Sequence, residues 1–206
     1  MCTRYYIEKN PITEHIGNLA KSSKLLDKNI GWIAKPMTIA GEIRPDMTVP
    51  VIASDRKCRS TVFPMIWGYR LNDTTPLLVN ARVETAKVKD TFMDSWMGHR
   101  CIVPCSYYFE WEHVLRPDGR KVATQKYAFQ PREKDMCWLC GLYRIEKGFP
   151  HFVVITRPAS AETAVIHDRM PLMLPEPLLK EWINPKTTPS RLLSEAVTDV
   201  VFEKAQ

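Results

Sequence analysis

The run Tyr107-Tyr108-Phe109-Glu110-Trp111-Glu112 limits the possible folds more than any other stretch of the chain. Clustered aromatic residues favour the pleated, half-buried surface of a sheet. On a strand, Tyr107, Phe109 and Trp111 share one face, and Tyr108, Glu110 and Glu112 share the other. The run closes a longer β-rich stretch that begins at Arg100. Further short apolar runs read as strands at residues 3–8, Val49–Ala53, Thr61–Tyr69, Leu77–Val79, Lys126–Phe129, Met136–Ile145, His151–Thr156 and near 197–202. Turn chemistry separates many of them, as at Pro117-Asp118-Gly119. Pro64 inside the Thr61–Tyr69 run places that strand at an edge or a bulge.

Helical periodicity is sparser. Thr13 reads as an N-cap, with Ile16, Leu19 and Leu26 following at loosely helical spacing. Val88, Phe92 and Trp96 fall at i, i+4 and i+8 within a helix over 83–97. Pro177 opens a helix to about Ile183, and a short helix is expected near 190–195. Residues 34–50 read as a loop or irregular extended segment, and 158–166 as a short helix or turn. Strands dominate without strict β-α-β alternation. The expected class is α+β: one domain over residues 1–206, a mixed or mainly antiparallel, barrel-like sheet, and peripheral helices.

No apolar run reaches the roughly 18 residues of a membrane span. The first twenty residues carry Arg4, Glu8, Lys9 and Glu14 and no apolar core of a secretory signal. A cytoplasmic, monomeric protein with reduced thiols is expected, nucleoid-associated if bacterial. The net charge of +6 is compatible with a polyanion partner, although the Lys and Arg are dispersed. Cys101, Cys105, Cys137 and Cys140 have spacings that could hold zinc. Large apolar neighbours and the lack of turn residues within each pair favour core strands instead, so no metal or cofactor is expected.

The second residue is a cysteine, in Met1-Cys2-Thr3-Arg4. If Met1 is removed, Cys2 carries a free α-amine and a thiol one methylene away. With ordinary pKa values near ~8 and ~8.5, neutral amine and thiolate are each available in part at neutral pH. Such a 1,2-aminothiol condenses with an aldehyde to an imine, and the thiol then closes a thiazolidine. Three polar residues delivered by apolar strands could serve that chemistry. Asn80 follows Leu77-Leu78-Val79, Glu110 sits among aromatics, and His167 follows Ala164-Val165-Ile166. Singly, each has a plainer reading: a turn residue for Asn80, a solvated strand face paired with Arg120 or Lys121 for Glu110, and a structural histidine for His167. Together they offer an amide to hold the amine, a carboxyl to act as acid and base with its pKa raised by desolvation, and an imidazole to move a proton on an opening sugar.

Five stretches resemble the SRAP family, SOS-response-associated peptidase-like proteins that process abasic sites. They are Met1-Cys2-Thr3-Arg4, Phe63-Pro64-Met65-Ile66-Trp67-Gly68-Tyr69, Asn80-Ala81-Arg82-Val83-Glu84-Thr85, Tyr108-Phe109-Glu110-Trp111 and Ile166-His167-Asp168-Arg169-Met170-Pro171-Leu172. The resemblance implies binding of single-stranded DNA with an abasic site and covalent attachment through a thiazolidine that shields the lesion. It assigns Cys2 as nucleophile, Asn80 as holder of its amine, Glu110 as acid and base, and His167 as assistant in sugar opening and reversal. It also implies self-removal of Met1. Arg4 and Arg82 resemble phosphate contacts, Trp67 a stacking or wedge residue, and Thr156 a pocket residue. Three segments depart from the pattern: Thr3 stands where the family has Gly, Glu42-Ile43-Arg44-Pro45 replaces Asn-x-Ala-Pro, and Arg70-Leu71-Asn72 follows Tyr69. Two other activities fit parts of the chain: a peptidase using Cys2 and His167, and a non-catalytic module for single-stranded DNA.

Overall fold

The computed structural model describes residues 2–26, 36–72, 74–132 and 134–205. Two sheets pack together. Strands β1 (Arg4–Ile7), β2 (Gly41–Ile43), β7 (Tyr107–Leu115), β8 (Lys121–Pro131) and β12 (Val200–Lys204) form a sheet in the order β12-β8-β7-β1-β2. Strands β3 (Thr48–Ser54), β4 (Ser60–Trp67), β6 (Arg100–Cys105), β9 (Cys137–Glu146) and β10 (Phe149–Pro158) close into a ring, β10-β4-β3-β6-β9 and back to β10. The short strands β5 (Asn80–Arg82) and β11 (Arg169–Pro171) attach to β10. The α+β class and the barrel-like sheet read from the sequence are those of the structure.

The stretch 100–112 is two strands, not one. Ser106 breaks it: its amide donates to the Tyr6 carbonyl at 2.8 Å, and its hydroxyl accepts from the Glu8 amide at 2.9 Å. The chain leaves the barrel at Cys105 and enters the other sheet at Tyr107. Pro64 lies within the barrel rather than at an edge. It faces Pro50, so neither residue asks the other for an amide hydrogen, and β10 pairs with β4 only at Ile66 and Trp67. Residues 36–50 are more ordered than expected, holding β2 and the start of β3; residues 34 and 35 lie outside the described residues.

Helix α1 (Pro11–Lys21) is capped by Asn10, not Thr13. Thr13 is its partner, three residues on: the Asn10 side chain accepts from the Thr13 amide, and the Thr13 hydroxyl accepts from the Asn10 amide. Pro11 takes the first helical position, where no amide hydrogen is needed. Leu26 lies beyond the helix, and Leu19 is exposed. The helix expected over 83–97 is divided into α2 (Val83–Ala86) and α3 (Asp90–Gly98). Val88 falls in the break and is exposed, while Phe92 and Trp96 are buried as their spacing requires. The segment 158–166 is a series of turns. After it come a 3-10 turn, Glu176–Leu178, helix α4 (Leu179–Ile183) and a 3-10 helix, Pro189–Glu195.

Arg100, at the start of β6, is buried and surrounded by carbonyls. Its Nε donates to the Trp182 carbonyl at 2.6 Å, and Nη1 donates to Trp96 at 2.6 Å and Met97 at 2.7 Å. Nη2 donates to Thr187 at 3.0 Å and also to Asn184. One guanidinium thus satisfies carbonyls at the C-terminal ends of α3 and α4, which have no partner within their own helices. Cys101, Cys105, Cys137 and Cys140 are free, buried strand residues. Among the described residues no group of three or more His, Cys, Asp or Glu could hold a metal ion, and no helix is long and apolar enough to cross a membrane.

Candidate active site

The two sheets meet around Cys2. β1 is antiparallel to β7, with Arg4 opposite Phe109 and Tyr5 opposite Tyr108. Followed toward its N-terminus, the chain therefore runs alongside Glu110. Alternation along β7 operates, but the faces are the reverse of the plainer expectation. Tyr108 and Glu110 point into the core, and the partly exposed Tyr107 and Trp111 lie on the outer face with Phe109. Glu110 faces Tyr127 across β8, not Arg120 or Lys121, which sit at the far end of the hairpin. The carboxyl is 2% exposed, and burial raises it to about 7.

The barrel supplies the opposite wall. β5 lies parallel to β10, with Asn80 opposite Val154. Asn80 is therefore a strand residue rather than a turn residue. Its Nδ2 donates to the carbonyl of Cys2 at 2.9 Å, while its buried Oδ1 has no hydrogen-bond partner among the described residues. An amide oxygen kept out of water without a donor is costly. His167 stands just before β11. Its Nε2 lies 3.9 Å from Glu110 Oε2, and its Nδ1 accepts from the Arg169 amide at 3.0 Å and lies 3.1 Å from Asp168 Oδ1. Burial lowers the pKa of His167, which favours neutral imidazole.

Cys2 is fully buried, and its Sγ contacts the Arg4 carbonyl at 3.7 Å. Burial and the nearby Glu110 carboxyl push its thiol far above the ordinary range. In this environment the protonated thiol is favoured over the thiolate. Met1 and its removal lie outside the described residues. Cys2, Asn80, Glu110 and His167 thus come from four separate parts of the chain to one place.

The residues expected to contact DNA divide. Arg82 is exposed and has no ion pair among the described residues. Arg4 is partly exposed and bound to Glu42 at 2.8 Å. Thr156 is buried beside β5; its carbonyl accepts from Arg169 Nη2 at 2.8 Å, and its hydroxyl lies 3.5 Å from the Ala81 carbonyl. Trp67 is part of the core. Its Nε1 donates to the Val79 carbonyl at 3.0 Å, and its ring lies between Tyr5 and Phe152, so no ring face is open to a base in this structure. Two further positions were given no role by sequence reading. Arg169 makes a bidentate pair with Glu84 at 2.5 and 2.9 Å, tying the Asn80 strand to the His167 loop. His113 lies edge-on to His167 with ring centroids 5.8 Å apart. Glu84 and Arg169 each sit in a motif already singled out, which was their only signal; the approach of His113 depends on a bulge that no pattern revealed.

Cys2, with an amide, a carboxyl and an imidazole around it, thus stands at the junction of a barrel and a second sheet. The model of the family described as SOS response associated peptidase (SRAP) matches residues 1–205, and the chain belongs to that family. It is 31% identical over 116 residues to abasic site processing protein YoaM of Bacillus subtilis, covering 54% of this chain and 49% of that protein. It is 28% identical over 147 residues to abasic site processing protein YedK of Escherichia coli, covering 66% and 61%. The matched region spans about half to three fifths of these relatives. A phage-related protein of Bordetella bronchiseptica has the same fold, with a TM-score of 0.73 at 20% identity over 100% of this chain and 94% of that one. A protein of Bacteroides thetaiotaomicron is equally similar, with a TM-score of 0.73 at 20% identity.

Proposed function

We propose that this chain captures abasic sites in single-stranded DNA by forming a thiazolidine between Cys2 and the ring-opened deoxyribose. The observation that carries the reading is the 2.9 Å bond from Asn80 to the carbonyl of Cys2, a contact between residues 78 positions apart. It supports a role for the Asn80 amide in holding the residue that loss of Met1 would make the chain's end. Family membership and the names of the relatives support the choice of substrate.

The chemistry follows from the groups present. Loss of Met1 by hydrolysis frees the α-amine. The amine adds to the sugar aldehyde to give a carbinolamine, and Glu110, protonated in part near neutral pH, donates a proton as water leaves and the imine forms. The imine at this stage is the protonated iminium; the carboxylate left behind takes the thiol proton as sulfur bonds to its carbon, and the C=N electron pair returns to nitrogen, which keeps its one hydrogen. One water is lost overall, and Glu110 ends as it began. The same carboxyl serves both steps because its pKa lies near the working pH. His167, held mostly neutral, moves the proton on the sugar oxygen during ring opening. Arg82 and Arg4 serve as phosphate partners in this reading, and Thr156, buried beside β5, packs behind the Asn80 strand.

The test is incubation with an oligonucleotide containing one abasic site. An SDS-stable adduct is expected, lost in Cys2→Ala, with intact mass showing protein lacking Met1 bonded to the strand with net loss of one water. Equal adduct formation by Cys2→Ala would end this reading.

A further inference from the structure

Three cations converge on one carboxylate beside the site. Glu42, in β2, accepts from Arg4 Nη1 at 2.8 Å, from Arg44 Nε at 2.9 Å and, through its other oxygen, from Lys126 Nζ at 2.9 Å. Lys126, Arg44 and Arg4, with the Lys126 hydrogen bond foremost, hold the Glu42 carboxyl down at about 2. It is therefore ionised throughout the physiological range, and the cluster carries three positive charges against one negative. Ion pairing for stability alone would be met one to one. Of the three, Arg44 faces solvent, its side chain 61% exposed, while Arg4 and Lys126 are partly covered.

The geometry keeps donors available. Among the described residues Arg4 uses only Nη1 and Arg44 only Nε in side-chain hydrogen bonds, so each guanidinium keeps N–H groups for another acceptor. Lys126 is seated from below, its ammonium 3.7 Å from the centroid of Phe109. Arg4 is two residues from Cys2, roughly 7 Å along an extended chain, which is within reach of a phosphate flanking a sugar held at Cys2.

Glu42 and Lys126 also line a cavity of about 680 Å³ on the outer face of the sheet, together with Tyr6, Tyr107 and Phe109 and the charged Glu8, Glu203 and Lys204. Burial, assisted by Glu8 and Glu203, pushes the Tyr107 phenol up to about 12.

We propose that Arg4, Arg44 and Lys126, spread on Glu42, form a site for a phosphodiester group of the lesion-bearing strand, and that Glu42 lowers its affinity by standing where a phosphate would compete. The proposal rests on the reading of single-stranded DNA as the substrate. The Glu-x-Arg-Pro segment of this chain thus supplies both the anchor and two added charges of opposite sign.

The experiment is anisotropy titration of an intact single-stranded oligonucleotide, free of abasic sites, across a salt series. Arg44→Ala and Lys126→Ala are each expected to weaken binding about tenfold and to reduce the salt slope by about 0.7. Arg59→Ala, an equal loss of charge at a pair with Asp55 on the β3–β4 hairpin, changes neither. Glu42→Gln, checked for an unchanged melting temperature, tightens binding. If Arg44→Ala behaves like Arg59→Ala, or the folded Glu42→Gln binds more weakly, the proposal is overturned. Crosslinking to the abasic oligonucleotide is measured in parallel. Cys2-dependent crosslinking with no effect of Arg44 or Lys126 strikes only the phosphate site, whereas crosslinking independent of Cys2 strikes the capture reading and leaves the binding result standing.

Discussion

Glu110 Oε2 and His167 Nε2 lie 3.9 Å apart, one on the five-stranded sheet and the other on the loop leading to β11. Burial moves both toward neutrality, raising the carboxyl to about 7 and lowering the imidazole. For Glu110 the native state binds its proton more tightly than the unfolded chain. Its relative stabilisation is complete below the unfolded pKa of 4.5 and is lost as pH rises through about 7. At about 1.4 kcal/mol per unit, the loss is on the order of 3 kcal/mol. Glu110→Gln is therefore expected to melt higher than wild type at pH 8 and almost identically at about pH 4, below the unfolded pKa, while forming adduct about 10² to 10⁴ times more slowly. Equal melting shifts at both pH values would show that the carboxyl is not linked to stability through its proton.

His113 reaches His167 by way of a bulge. The β7–β8 register shifts between Trp111 and His113. Such an extra residue re-aims the side chains after it, and His113 meets His167 edge-on at an interplanar angle of 74°. Groups that face His167 include Glu110, Asp168 and His113, with the Arg169 amide on Nδ1. Burial is the largest influence on its pKa; the positive chain terminus and, after it, the His113 ring also lower it, while Asp168 raises it. In His113→Ala, the His167 titration followed by proton NMR is expected to move upward, toward the ordinary histidine value. An unmoved midpoint means that the rings touch without electrostatic consequence.

Asn80 holds Cys2 through a single hydrogen bond, and truncation removes it while leaving a buried carbonyl short of a donor. Asn80→Ala is expected to slow adduct formation about 10- to 100-fold, consistent with a loss of roughly 1–3 kcal/mol. Asn80→Asp replaces the donor with an acceptor and is expected to be slower still. Single-turnover rates with saturating abasic oligonucleotide separate these effects from DNA affinity.

Arg100 is the structural counterpart of the site residues, a buried charge with only carbonyls around it. Burial pulls its pKa down to about 10, so it remains protonated at neutral pH. Arg100→Ala strips donors from the ends of α3 and α4 and is expected to cost about 3–5 kcal/mol, read from urea unfolding. Arg100→Lys supplies charge but not the planar fork and recovers only part of that loss.

Cys2, Asn80, Glu110 and His167 were legible as candidates because each stood in a sequence context that set it apart, and the structure brings them together. The strand reading of 107–112 also located the two faces of β7, since alternation is a local property of the backbone. Which face was buried was not local. An aromatic face reads as core and a carboxylate face as solvated, yet packing of the barrel against β7 turned Glu110 inward. The same limit applies to Trp67, whose indole is covered by Tyr5 and Phe152 from distant segments. The Pro50–Pro64 pairing, which lets a proline sit inside the barrel, needs a register that no single strand encodes. Asn10 was passed over as a cap because Thr13 offered similar chemistry three residues later, and the two turn out to be reciprocal partners.

The crossing at Ser106 has a consequence for when this protein becomes reactive. Cys2 and Glu110 belong to one sheet, whereas Asn80 and His167 belong to the other. Neither sheet alone assembles the four groups. A chain with only the five-stranded sheet formed would hold Cys2 beside Glu110 but without the Asn80 amide and the His167 imidazole. The complete set of four groups is thus a readout of completed docking of one sheet on the other.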